Sequence, residues 1–190
     1  NITSQYAIFG AVIIQPLLRK HISDLVRRLT SIDGIERMGV TTNGILLKRK
    51  LPDLLDAGVT HLNISLDTLL SAKYSFITRR SGFSRVLSAI RDAETAVADQ
   101  TLSSLKIIVV VMRGTNEDEI LDFVDLTKEH QLTVRFIEYM PFDSNKWNTK
   151  KLVPFSEMLS AIRKVHPDLI RIGDSPCATQ KTYQVPGASG

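Results

Sequence analysis

The sequence predicts an α/β fold with a parallel sheet. Strand-sized runs of β-branched and apolar residues alternate with longer stretches whose apolar residues recur at helical spacing. The connections between successive strand candidates are too long for hairpins and require crossovers, which run right-handed in parallel sheets. Polar residues gather where the strands end: Thr41-Thr42-Asn43, Ser65 with Asp67, and Glu138 to Met140. In a barrel and in an open doubly wound sheet alike, ligands sit at those ends.

The elements follow in order. Pro16 suits a first helical turn, and Leu18, Ile22, Leu25 and Leu29 continue it until Asp33-Gly34 turns the chain. A short strand is expected from Met38 to Thr42. Leu47, Leu51, Leu54 and Leu55 mark a second helix, with Gly58 as its C′ residue. From His61 to Asp67 the pattern alternates, with Leu62, Ile64 and Leu66 on one side and Asn63, Ser65 and Asp67 on the other. Val86, Leu87, Ile90 and Ala93 mark a third helix, after the loop carrying Arg79-Arg80. Leu105 to Met112 is almost continuously apolar, as expected of a strand buried on both faces. Asn116 as N-cap with Glu119 three residues later reads as a capping box opening the next helix. Val134 to Met140 is the last strand, and Phe155 to Val165 the last helix.

Composition narrows the function. The 190 residues are 43% hydrophobic and 23% charged, which excludes a disordered or low-complexity chain. A net charge of +4 mildly favours an anionic ligand. Aromatic residues make up 6% and do not interleave with basic ones, so no nucleic-acid platform is expected. No run is long enough to span a membrane. A single cysteine, Cys177, excludes a disulfide framework and an all-cysteine metal site within these residues. The four histidines, His21, His61, His130 and His166, show no zinc-protease spacing. Phosphate-loop, dinucleotide and nucleophile-elbow motifs are also absent. The chain begins Asn1-Ile2-Thr3 and ends without an obvious closing element, and it is read as a fragment.

Several residues are candidates for chemistry. Asn63, Ser65 and Asp67 would place hydrogen-bonding groups in a barrel lumen, if they do not form a solvated edge. Lys106, in an otherwise apolar strand, suits a phosphate or carboxylate clamp, or else snorkels to solvent. Phe136, Glu138 and Met140 share one face, with Arg135 opposite. Thr41, Thr42, Asn43 and Gly44 form either a ligand-binding turn or an ordinary strand-to-helix connection. The residues alone lead to a parallel α/β domain with a polar site at its strand ends, and not to a reaction.

Five segments together carry a resemblance: Gly39-Val40-Thr41-Thr42-Asn43-Gly44, Asn63-Ile64-Ser65-Leu66-Asp67-Thr68-Leu69, Val111 to Glu119, Val134 to Phe142, and Asn145-Lys146-Trp147. In this order and spacing, from about Pro16 to Gly190, the chain resembles the GTP 3′,8-cyclases of molybdenum cofactor biosynthesis. These are radical S-adenosylmethionine (SAM) enzymes, and the wording is nearer their eukaryotic branch. The resemblance implies a partial (βα)6-type radical-SAM barrel with parallel strands and its first strand or strands missing or altered. It implies three segments: a non-matching 1–15, a barrel core at 16–165, and the start of a C-terminal region at 166–190.

In that family GTP becomes (8S)-3′,8-cyclo-7,8-dihydroguanosine 5′-triphosphate. A 4Fe-4S cluster cleaves SAM, and a second cluster holds the base. Ser65 and Met140 match SAM-contacting positions, and Thr41 and Lys106 match GTP-contacting positions. Cyclic pyranopterin monophosphate synthase would be the pathway partner, and a homodimer is expected. The compartment would be the mitochondrial matrix in a eukaryote and the cytoplasm in a bacterium.

The chain departs from the family where it lacks C-x3-C-x-x-C, whose three thiolates hold the cluster. Ile13-Ile14-Gln15-Pro16 stands in place of Gly-Gly-Glu-Pro. The expected consequence is a catalytically incomplete, poorly stable piece. The alternative is a cluster-free barrel that retains nucleotide or partner binding.

Overall fold

A computed structural model describes residues 16–140, 149–173 and 180–190. The 1–15 segment, Pro141-Phe142, Asp143 to Trp147 and the Cys177 loop lie outside the described residues. A 3-10 turn at Pro16–Leu18 precedes α1 (Ile22–Thr30), β1 (Gly39–Thr42), α2 (Leu47–Asp56), β2 (His61–Ser65), α3 (Ser71–Thr78), α4 (Phe83–Ala98) and β3 (Ser104–Val111). After a 3-10 turn at Glu117–Glu119 come α5 (Ile120–Glu129), β4 (Thr133–Glu138), α6 (Phe155–Val165), β5 (Ile170–Ile172) and β6 (Thr182–Gln184). Strands β1 to β4 form one sheet in that order, with β1–β2 and β2–β3 parallel. Together with the helical crossovers, this is the α/β parallel architecture expected. The chain divides into two compact units, residues 1–109 and 110–190.

In the first unit the strand pattern sorts side chains by face. Val40, Leu62, Ile64, Leu105, Ile107 and Val109 are buried. Residues between them in β1, β2 and β3 are half-buried, except Ser65, which is exposed. The buried face is covered by helices: Gly44 is so close to Val86 of α4 and Ile64 of β2 that an added Cβ would meet their methyls at 3.0 and 3.3 Å. Leu47, Leu51 and Leu54 line the inner side of α2, and Val86, Ala89, Ile90 and Ala93 that of α4. Gly58 ends α2 as expected. At φ +98° it is the C′ residue of a Schellman closure, its N–H donating to Leu55 O (2.9 Å) and that of Val59 to Leu54 O (3.0 Å).

Two expectations are corrected here, and two elements appear that the sequence reading did not include. Strand β3 is buried on one face only; its other face, with Lys106, Ile108 and Val110, is half-buried. Apolar content alone does not distinguish a strand buried on both sides from one whose second face is only half-covered. In the first helix the buried stripe is Leu17, Ile22 and Val26, while Leu18 is 64% exposed. Helix α3 was not expected, because Ser71 to Thr78 has no amphipathic period; it buries only Tyr74. The ribbon β5–β6 was likewise not expected, as its strands are three residues each.

The second unit is built around α5 and α6. Asn116 does not form the expected capping box. Its carboxamide is buried and turns back to the end of β3, accepting from Met112 N (2.7 Å) and donating to Val110 O (2.9 Å). The adjacent carboxylate of Glu117 takes the N–H groups of Gly114 and Thr115 instead, and these bonds hold it below the usual carboxylate range despite partial burial. Arg113 grips Glu157 of α6 through both terminal nitrogens, at 2.9 and 2.6 Å. Glu138 Oε1 accepts from Phe155 N (2.6 Å), satisfying a free donor at the start of α6. Arg135 donates to Gln180.

Candidate functional site

The half-buried face of the first unit carries the polar residues singled out from the sequence. Parallel pairing puts Thr41 opposite Asn63, and Asn63 opposite Lys106. Adjacent strands lie about 4.8 Å apart, so these three form one row across β1, β2 and β3. Asn63 Nδ2 donates to Thr41 Oγ1 at 3.1 Å. The preceding row is Gly39, His61 and Ser104, and the following one pairs Ser65 with Ile108. Ser65 ends β2 and is exposed. The chain then leaves the strand, with Leu66 N donating to Ile108 O (3.0 Å).

The turn after β1 divides its polar residues into two groups. Thr42 is buried, and its hydroxyl accepts from Gly44 N (3.2 Å). Asn43 Oδ1 accepts from Ile45 N (3.2 Å). Both side chains therefore serve the strand-to-helix connection, and Thr41 alone of the three faces the row. Thr41 was the member of this turn matched to a nucleotide contact; Asn63, which bonds it, was noted from the sequence only as one of three polar strand residues.

His61 of the preceding row lies within reach of two cationic side chains. His61 Nδ1 lies 2.8 Å from Thr60 Oγ1, which also bridges to Met38 N at 2.9 Å. Burial first, then the charges of Arg37 and Lys106, pull the imidazole below its ordinary value of 6.5. The face offers a hydroxyl, a carboxamide and an ammonium in line, which suits an anionic ligand with hydrogen-bonding groups.

Met140 lies just beyond β4 in the second unit, 50% exposed. Among the described residues no group of three or more His, Cys, Asp or Glu side chains is placed to hold a metal ion. With one cysteine in 190 residues, the chain does not supply the three thiolates of a SAM-cleaving cluster. No helix among the described residues is long and apolar enough to cross a membrane.

The family model described as the radical SAM superfamily matches residues 11–127. The chain is 48% identical over 176 residues to "Molybdenum cofactor biosynthesis protein 1" of Bos taurus, covering 93% of this chain and 27% of that protein. It is 45% identical to "GTP 3′,8-cyclase, mitochondrial" of Arabidopsis thaliana, covering 44% of it. It is 37% identical to the "GTP 3′,8-cyclase" of Limosilactobacillus fermentum, covering 52% of it. The chain thus spans about a quarter to a half of these curated relatives. A domain of pyruvate-formate lyase-activating enzyme from Bacteroides vulgatus shares the fold, with TM-score 0.53 over 77% of this chain and 84% of that one, at 18% identity.

Proposed function

This chain belongs to the radical SAM superfamily, and on that premise we propose that it is the nucleotide-binding core of a GTP 3′,8-cyclase of molybdenum cofactor biosynthesis. The observation that carries the reading is the row Thr41–Asn63–Lys106 on a half-buried sheet face, in a chain 45% identical to a protein of that name. In this reading Lys106 takes GTP phosphate oxygens by a charge-assisted hydrogen bond. Thr41, already accepting from Asn63, directs its own O–H proton at the ligand. Ser65, at the exposed end of β2, and Met140 are the proposed SAM contacts.

When bound in the family, SAM and a cluster supply the radical that starts the reaction. The residues of this chain do not fit the cluster, so no step of that chemistry is assigned to them. Their part is to bind and orient GTP. Cyclic pyranopterin monophosphate synthase would consume the product. The proposed compartment is the mitochondrial matrix in a eukaryote and the cytoplasm in a bacterium, the Arabidopsis relative being named mitochondrial, and a homodimer is the proposed assembly.

The test is calorimetric titration of GTP into the purified chain and its Lys106→Ala variant at low salt. A hydrogen bond to a charged group contributes about 1.5–3 kcal/mol, so Lys106→Ala should weaken binding by about 10- to 100-fold. Equal affinity of the two proteins would refute the phosphate role of Lys106. Absence of GTP binding to the parent chain would refute the reading as a whole.

A further inference from the structure

The structure assigns Asn63 as a specificity-determining residue of the nucleotide site, reading the sugar hydroxyls of the ligand; this rests on the proposed GTP-binding function. Asn63 is central in the row, with Thr41 on one strand neighbour and Lys106 on the other. A carboxamide has two donor hydrogens and an acceptor oxygen. One hydrogen is engaged by Thr41 Oγ1. That bond orients the amide from the β1 side, and Lys106, a donor-only group, stands on the β3 side. Its second N–H and the acceptor oxygen are the groups it has to offer a ligand on this half-buried face. A group that both donates and accepts completes this pair, and a vicinal diol does so with two hydroxyls.

The spacing favours the sugar over the other parts of a nucleotide. Lys106, about 4.8 Å away on the neighbouring strand, is the group suited to the phosphates. The sugar lies next to the phosphates in any nucleotide, so its hydroxyls fall at the next strand, where Asn63 stands. A base laid on this row would have no aromatic face to stack on, since its side chains are a hydroxyl, a carboxamide and an ammonium. Asn63 is half-buried, so an unsatisfied amide there favours ligands that fill its hydrogen bonds over those that cannot.

The experiment is binding of GTP and 2′,3′-dideoxy-GTP to the chain, to Asn63→Ala and to Asn63→Ser. Circular dichroism melting checks that each is folded; should the alanine variant not fold, the serine variant carries the comparison. The parent chain is expected to prefer GTP by about five- to thirtyfold, the range of one or two neutral hydrogen bonds. Loss of the Asn63 amide should weaken GTP by that factor, leave the dideoxy nucleotide almost unchanged, and so erase the preference. Retention of the full preference in a folded Asn63 variant overturns this assignment alone. Failure of the parent chain to bind either nucleotide overturns the nucleotide reading, and this assignment with it.

Discussion

Replacing Gly44 by alanine tests how the turn beside the candidate site is built. Gly44 has φ +77°, and its missing Cβ would lie 3.0 Å from Val86 Cγ1 and 3.3 Å from Ile64 Cγ2. The left-handed backbone costs an alanine about 1–2 kcal/mol. Forcing a methyl into a packed core costs about 1–3 kcal/mol more. The less flexible unfolded chain returns about 0.4–1 kcal/mol. The net loss is about 3 kcal/mol, near the middle of that range. A chain of this size loses about 2–4 °C in melting temperature per kcal/mol, so the midpoint should fall by about 6–12 °C. Gly34→Ala is the control, because Gly34 has φ +89° with no atom within 4 Å of the missing Cβ. It carries the backbone cost without the clash and should lose only about 1 kcal/mol. Urea unfolding followed by circular dichroism measures both. Equal losses for the two variants would refute the claim that Gly44 is required by the approach of Val86 and Ile64.

Other predictions follow from the same reasoning. The unfolded chain protonates His61 near pH 6.5, whereas the folded chain does so at lower pH, through burial and the charges of Arg37 and Lys106. The unfolded state therefore binds the proton first, and stability should fall as pH drops from about 6.5 toward the folded value. His61→Asn should flatten that part of a urea-midpoint profile, and Lys106→Ala should lessen it; an unchanged slope in His61→Asn would contradict this. Asn116→Ala strips partners from Met112 N–H and Val110 C=O at the end of β3. At about 0.5–1.5 kcal/mol net for each hydrogen bond, the loss should be about 1–3 kcal/mol by denaturant titration, and a loss below about 0.5 kcal/mol would show that water replaces the carboxamide. Arg113 holds Glu157 below the usual carboxylate range, so the stability it brings is present above pH 4.5 and lost as pH falls through the lowered value. Glu157→Gln should slightly reduce the acid-side slope of the same profile and lower the neutral-pH midpoint by the same small amount, as expected of an exposed pair.

Much of this was legible in the sequence because the sheet imposes strong local patterns. The period of two in His61 to Ser65 fixed which residues face the helices, and the same alternation put Asn63 and Ser65 on the open face. Gly58 marked the end of α2 because few other residues take that conformation cheaply. The pairing of Thr41, Asn63 and Lys106 was not legible, since register between distant strands is set by tertiary packing. The same limit hid the true partners of Asn116. An asparagine before a helix satisfies the pattern of a cap, but here burial at the strand end offered two backbone partners at once, and the carboxamide went there. The open face of β3 escaped notice because an apolar run reads alike whether one or both sides are covered.

The central claim is that GTP lies across the half-buried face of β1, β2 and β3. The most direct measurement is NMR mapping of backbone and side-chain amide shifts of the chain as GTP is added. Saturable shifts in the Asn63 side-chain amide and in the backbone of Thr41, Ser65 and Lys106 are the predicted result. Saturable binding whose shifts centre on the exposed basic stretches at Lys48-Arg49-Lys50 or Arg79-Arg80, leaving Asn63 unmoved, would contradict it.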